Sequence, residues 1–442
     1  MKKKMISVVV CSVAAAAILA GCGSSSGSSS SLASQSEAAD GETADENSAE
    51  ADDTASNGTG NGTVINFYYW DDAQTSGVNA LIDGFEKTQD TIKVQATLVP
   101  WNEYWTKLQT ALPTGTGPDV FWMNLYSKQY IDAGLLMDLT DKISEDGMDM
   151  DKYPASVTAY YTDNGKYYGI PKDYDGTAIF YNKAIFDEMG VAYPKADWTW
   201  EDFRETAKAL TNNDHYGFVC NPDGNSGYQN FIYQNGGELV DDEGNPTVNT
   251  KEVVGALQFE HDLMYKDHIS PTGTEQLEMG YSDMFVGGKT AMVSDGSWDL
   301  GKYVEALGDN CQIAELPTGV RKGATTHGLA YCIAENSSNK EAAWEFVKYA
   351  GSEEGESLTA SGAIPAYEGC DKAWLDLYPD QNVQILLDSV TYASPNPMYK
   401  SNMTEVGQVL TDTIANIWQT EDIDIQSEMD NCEQSMTETM NQ

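Results

Sequence analysis

The chain has 442 residues, with 69 Asp plus Glu against 25 Lys plus Arg and a formal net charge of −44. An acidic excess of that size repels nucleic acid and anionic lipid surfaces. Arg204 and Arg321 are the only arginines; bidentate capture of phosphate or carboxylate leans on arginine, so an anionic ligand is disfavoured as well.

In chain order, Met1-Lys-Lys-Lys-Met5 is basic and the following run to Ala20 is apolar. That run is short for a membrane-spanning helix but suits the core of a signal peptide. It ends in Leu19-Ala-Gly-Cys22, which resembles the bacterial lipobox and implies a signal segment of residues 1–21, removed before an acylated Cys22. From Gly23 to Thr63 the chain is rich in Ser, Gly, Ala, Asp and Glu, with no aromatic residue and no Lys or Arg. Such a segment cannot bury enough apolar surface to offset its ordering entropy. Residues 22–63 therefore read as a lipid-anchored, disordered tether.

The remainder, from about Val64, has 61 carboxylates against 22 Lys plus Arg, a net charge near −39. It is longer than one hydrophobic core usually organises, so two lobes are expected. Val64–Trp70 reads as a strand, Asn79–Lys87 as a helix, Thr91–Val99 as a strand and Glu103–Leu112 as a helix; a Gly/Pro turn then leads into the strand Val120–Asn124. Strands alternating with helices indicate open, largely parallel sheets with helices on both faces, an α/β class in which ligands sit outside the carboxyl ends of the strands. Trp70, Asp71 and Asp72 end one such strand; Trp122 and Asn124 end another.

Gly169–Asn182 reads as a crossover between the lobes: a turn, Asp173 and Asp175, then an apolar run. Two apart on a strand, the two carboxylates would share a face, and if that face lines a cleft they are ligand acceptors. The same spacing also fits turn or capping aspartates on a surface loop. Further on, Thr199 and Asp202 form a capping-box variant opening a helix to about Leu210, which makes Trp198 and Trp200 packing residues. Tyr216–Cys220 reads as a strand, Tyr228–Gly237 as a helix with a glycine stop, and Lys251–Lys266 as an amphipathic helix. Met279–Phe285 is a short helix, Gly288–Ser294 a strand, and Asp295-Gly-Ser-Trp298 a helix start whose amides could hold a hydroxyl while Trp298 stacks on it. After a strand near Gln312–Leu316, His327–Glu335 reads as a return strand, Asn339–Ala350 as a helix, and two or three helices follow Gln381.

Cys220, Cys311, Cys332, Cys370 and Cys432 are odd in number and form no CxxC pair, so neither a disulfide framework nor a zinc site is indicated. No HExxH or EF-hand spacing occurs, and no cofactor or metal is expected.

These residues carry a resemblance. Leu112-Pro-Thr-Gly-Thr-Gly-Pro-Asp-Val-Phe-Trp122, Tyr130-Ile-Asp-Ala-Gly-Leu-Leu136, Tyr168-Gly-Ile-Pro171 with Ile179-Phe-Tyr-Asn-Lys183, Phe285-Val-Gly-Gly-Lys-Thr-Ala-Met292 with Gly296-Ser-Trp298, and Gly362-Ala-Ile-Pro365 stand in order behind the lipobox. Together they resemble the bacterial extracellular solute-binding family 1 proteins, the maltose-binding-protein-like sugar receptors of ABC importers. The resemblance implies a two-lobed periplasmic-binding-protein-like fold closing about an inter-lobe hinge. Its lobes would be residues 64–174 plus 325–368 and residues 175–324 plus 369–442. It further implies a receptor that is not an enzyme: a monomer that captures a small neutral sugar and delivers it to separate ABC permease subunits, held to the outer face of the cytoplasmic membrane by its lipid alone. Carried over by position, it puts Trp70, Asp72, Trp122, Asn124, Asp175 and Trp298 on the sugar. With Asp71, Asp173, Tyr228, Asn230 and His327 these form the candidate ligand set. Relative to the maltodextrin-binding branch, Asp175 stands where a longer glutamate is usual, and Leu300 replaces an aromatic platform that a long linear oligosaccharide would use. Pyranose C–H faces suit aromatic stacking and their hydroxyls suit amide and carboxylate partners, which favours a sugar independently. A receptor for a cationic or peptide-like solute is the nearer alternative, and a secreted glycoside hydrolase using paired carboxylates the more distant one.

Overall fold

A computed structural model describes residues 62–360 and 362–442; the expected signal segment, Cys22 and nearly all of the tether lie outside the described residues. Strand β1 (Thr63–Tyr69) buries alternate residues Ile65, Phe67 and Tyr69 and pairs in parallel along its whole length with β2 (Ile92–Leu98). Helix α1 (Thr75–Thr88) buries Val78, Leu81 and Phe85. It starts four residues earlier than its apolar spacing suggests, because Asp71 accepts from Ala73 N and opens a 3-10 turn that runs into the helix. Helix α2 (Trp101–Ala111) leads to β3 (Val120–Met123), buried at every position.

The first sheet has the order β2-β1-β3, then the return strand Ala330–Ile333, then Ile170–Pro171. The return strand rejoins the first half of the chain as expected, with Tyr331 opposite Trp122. Parallel pairing holds for β1 to β3, whereas the return strand runs antiparallel to both its neighbours. The second sheet centres on Thr177–Asn182, buried throughout and paired antiparallel with Met292–Gly296 and Cys311–Ala314. An unbroken apolar run marks a buried strand but carries no sign of its direction. Tyr216–Cys220, expected as a strand, lies beside this sheet with single parallel bridges from Tyr216 to Thr290 and from Val219 to Val293.

Around the second sheet the helix Trp200–Leu210 opens with the full Thr199–Asp202 capping box. Trp198 is buried, its indole N–H donating to Glu315 O at 2.8 Å, and Trp200 donates to Gln234 Oε1 at 2.6 Å. Three helices close the chain: Gln384–Val390, Met403–Gln419 and Ile425–Met440. All five cysteines of the body are buried and unpaired.

The amphipathic helix Lys251–Tyr265 sets Val253, Leu257 and Met264 into the core, and with them Glu260, which is 0% exposed and has neither carboxylate oxygen hydrogen-bonded. Burial pushes its pKa well above the ordinary carboxylate range. The folded state thus keeps a proton that the unfolded chain releases above about pH 4.5, and stability must fall as pH rises beyond that point. Glu260→Met is expected to stabilise the protein by about 1–3 kcal/mol at pH 8, the scale of an unsatisfied buried polar group. The gain should shrink towards pH 5. Urea unfolding at the two pH values checks this; an equal change at both would mean that Glu260 does not titrate there.

Candidate functional site

A cleft of about 800 Å³ lies between the two sheets, lined from both. The first sheet contributes Trp70 and Asp71, just past the end of β1, and Asn124, just past the end of β3. These are the carboxyl ends of parallel strands, where loops diverge and leave a crevice. The crossover contributes Asp173 and Asp175, the return segment His327, and the second sheet Ser297, Trp298 and Asp299.

Trp298 follows the strand Met292–Gly296 on a 3-10 turn. Asp295 fixes that strand end, accepting from Gly296 N at 2.8 Å and Ser226 Oγ at 3.0 Å. A Cβ at Gly296 would lie 2.1 Å from the Trp298 ring, so only glycine lets the indole fold back over the strand. The ring is 36% exposed and stacks on the His327 imidazole, with centroids 5.0 Å apart and planes 16° apart. Asp175 holds the pair: Oδ1 accepts from Ser297 Oγ at 2.8 Å, Oδ2 makes an ion-pair contact with His327 Nδ1 at 2.7 Å, and its backbone N–H donates to His327 O. Burial works against a charged His327, but Asp175, with Asp173 and Asp223, outweighs it and holds the ring's pKa above the ordinary value.

Asp173 faces the same cleft yet spends both oxygens internally. Oδ1 accepts from Leu329 N at 2.8 Å and Oδ2 pairs with Lys172 Nζ. The shared-face expectation for Asp173 and Asp175 thus becomes two separate roles, because the strand spans only Asp173–Tyr174 and Asp175 lies beyond its end. Asp71 likewise serves its own loop, accepting from Ala73 N and Gln74 Nε2 at 2.9 Å each. Asn124 Oδ1 accepts from Tyr126 N at 3.0 Å.

Four candidates lie elsewhere. Trp122, expected on the ligand, is buried: β3 is a central strand covered on both faces, and the indole packs against Phe67, Tyr69 and Trp70, with the Lys172 ammonium 4.1 Å above it. Asp72 is exposed in the 3-10 turn and does not line the cleft. Tyr228 is buried edge-on against Trp418. Asn230 is buried as a strut, accepting from Thr325 N at 2.7 Å and Thr177 Oγ1 at 3.2 Å, and donating to Ser226 O at 2.7 Å. Leu300 is also core, so an aromatic at that position would not face this cleft.

Sequence reasoning missed Trp101, Asp223, Asn225, Asp299, Glu305, Trp374 and Tyr378, all of which line the cleft. A partial signal for Trp101 was present: Pro100 before it stands at the N-cap, where a proline that cannot continue a preceding strand's pairing marks the approach to a helix start. Asp223 sits in a polar loop with no periodicity to mark it; burial raises its pKa, with the Asn225 N–H opposing. The arrangement offers aromatic faces beside fixed carboxylate and hydroxyl groups, a surface suited to holding a polyhydroxylated molecule.

The family model for bacterial extracellular solute-binding proteins matches residues 80–379. The arabinooligosaccharide-binding protein of Halalkalibacterium halodurans is 27% identical over 272 residues, 59% of this chain and 60% of that protein. The galactooligosaccharide-binding protein of Bacillus subtilis is 29% identical over 302 residues, 64% of this chain and 68% of that protein. The chain thus spans about three fifths to two thirds of the length of these curated relatives. Among solved structures, an ABC substrate-binding protein from Listeria monocytogenes in complex with cycloalternan superposes with a TM-score of 0.79 at 26% identity, over 86% of this chain and 99% of that one. Maltose-bound MalE3 of T. maritima gives 0.71 at 23% identity, over 85% and 99%, a likeness of fold. With the family model covering well over half of its length and the two-sheet α/β architecture shared with these binding proteins, the chain belongs to the bacterial extracellular solute-binding proteins.

Proposed function

We propose that the protein is the receptor of an ABC importer and captures a neutral sugar, single or short-chain, in the cleft between two lobes. The observation that carries this reading is the Trp298 platform, backed by His327 and fixed through Asp175 and Ser297. It offers an apolar face to a sugar ring beside acceptors for its hydroxyls. A neutral ligand also fits the cations: Arg204 pairs with Asp267 and Arg321 with Glu238, neither lining the cleft, and Lys302, which does line it, pairs with Asp283. In this reading the lobes are residues 64–174 plus 325–368 and 175–324 plus 369–442, ligand favours their closed arrangement, and a separate permease recognises it. The chain acts as a monomer without enzymatic activity, outside the cytoplasmic membrane, on a lipid at Cys22. Relatives named for arabino- and galactooligosaccharides support the sugar class.

The acidic lining, with Asp71, Asp175, Asp223, Asp299 and Glu305, favours one second reading, a cationic solute. Thermal shift on the purified mature chain separates the two. A tight ligand raises the melting temperature by mass action. Saturable shifts with neutral sugars and none with polyamines are expected; the reverse would overturn the sugar reading, and release of reducing sugar would reveal a hydrolase.

A further inference from the structure

The strand Ala393–Pro395 pairs in parallel with Ala324–Thr326, and the residue that follows it, Asn396, is 3% exposed. Its backbone N–H donates to Tyr160 Oη at 2.5 Å, and Tyr160 belongs to a core cluster of the first sheet. Its side-chain Nδ2 donates to Asn225 Oδ1 at 2.6 Å, and Asn225 lines the cleft. The Asn396 Oδ1 is buried with no partner. An apolar residue of similar size would avoid the cost of that orphaned oxygen, so the asparagine points to a use for its Nδ2.

The backbone of Asn225 is fixed on both sides: its N–H donates to Asp223 Oδ1 at 2.8 Å, and its C=O accepts from Thr325 Oγ1. With Oδ1 taken by Asn396, its Nδ2 makes no hydrogen bond among the described residues and is left to the cleft. Two features hold the amide this way round. Turning both amides over would leave the buried Asn396 NH2, with two N–H groups, unpartnered where a single carbonyl oxygen now is. It would also present the Asn225 carbonyl to a lining in which ionised Asp175, Asp299 and Glu305 already supply acceptors only.

We propose that Asn396 is a positioning residue: it sets the Asn225 amide so that Nδ2 is a fixed donor to an acceptor oxygen of the bound sugar. This rests on the sugar reading and adds a determinant of specificity to it. A ring or glycosidic oxygen only accepts, so carboxylates do not serve it; the protonated amines of a polyamine only donate and gain nothing from Asn225.

Neutral arabino-, galacto- and malto-oligosaccharides of one to three rings, with spermidine as the control, are titrated calorimetrically into the mature protein and its variants. Asn225→Asp is nearly isosteric, keeps an acceptor for Asn396 and replaces only the donor. It should lose about threefold to tenfold on the sugar that the wild type binds best, the scale of one hydrogen bond. Asn396→Leu, which frees the amide, should lose a similar factor in the wild-type background and nothing further in Asn225→Asp. A residue that merely supports the fold would lower affinity in both backgrounds. Should Asn396→Leu fold poorly, Asn396→Ser, smaller and still polar, carries the same comparison. Unchanged sugar affinity in Asn225→Asp, or an Asn396→Leu loss that is equal in both backgrounds, would overturn the positioning role while leaving the sugar reading intact. Absence of sugar binding by the wild type, whether or not spermidine binds, would overturn both.

Discussion

Lys172→Ala is expected to lower folding stability by about 3–5 kcal/mol, the scale for stripping one partner from a buried ion pair. Lys172 is 1% exposed. Its ammonium pairs with Asp173, donates to Gln74 Oε1 at 3.1 Å and lies 4.1 Å over the Trp122 ring. This single cation joins the crossover, the start of α1 and the central strand of the first sheet. Burial pushes the Asp173 pKa up, and Lys172 is the main influence pulling it back. Without the ammonium, Asp173 would keep only the Leu329 N–H and would have to take up a proton or admit water. The variant should therefore lose more stability at pH 8 than at pH 5, because a carboxyl with a raised folded-state pKa opposes folding increasingly as pH rises. A double variant, Lys172→Met with Asp173→Asn, should recover much of the loss, since it removes both charges from the same space. Urea unfolding of the three proteins measures this; a loss below about 1 kcal/mol for Lys172→Ala would show that the pair is not the anchor the geometry makes it.

The sequence was most legible where local chemistry decides the structure. Thr199 and Asp202 announce their helix because both halves of a capping box lie within four residues. β1 and α1 show their periods because each buries only one face. Strand direction in the second sheet was not legible, since Thr177–Asn182 is buried on both faces and its order is set by distant segments. At the cleft the difficulty was a matter of one or two residues. Trp70 lies one position past the end of β1 and Asn124 one past the end of β3, and both face the crevice. Trp122 lies inside β3, where pairing with the return strand turns it into the core. Element boundaries are the least certain part of any sequence reading, and these residues sit on them. Trp101 was passed over for the same reason: ending the strand at Val99 and starting the helix at Glu103 left Pro100 and Trp101 outside both elements.

Trp298→Ala should weaken binding of the preferred sugar by about 1–3 kcal/mol, roughly 5- to 150-fold, without unfolding the protein, because the lost surface is at the cleft rather than in the core. Fluorescence or calorimetric titration checks it, and unchanged affinity would remove Trp298 from the site. The platform has a second component that separates its role from that of any exposed aromatic. His327 stacks on the Trp298 ring, and Asp175, Asp173 and Asp223 favour its charged form despite burial. An imidazolium on an indole face gains a cation–π attraction that the neutral ring lacks. Because the folded-state pKa is raised, this support is fully present below about pH 6.5, the ordinary histidine value, and is lost as pH rises through the folded value above it. Wild-type affinity should therefore hold steady up to that point and decline above it. His327→Phe, which keeps a stacked ring but cannot titrate, should bind with little change over the same range. A wild-type affinity as flat as that of His327→Phe would mean that stacking alone positions Trp298. A decline confined to the wild type would tie the grip on the sugar to the proton on His327.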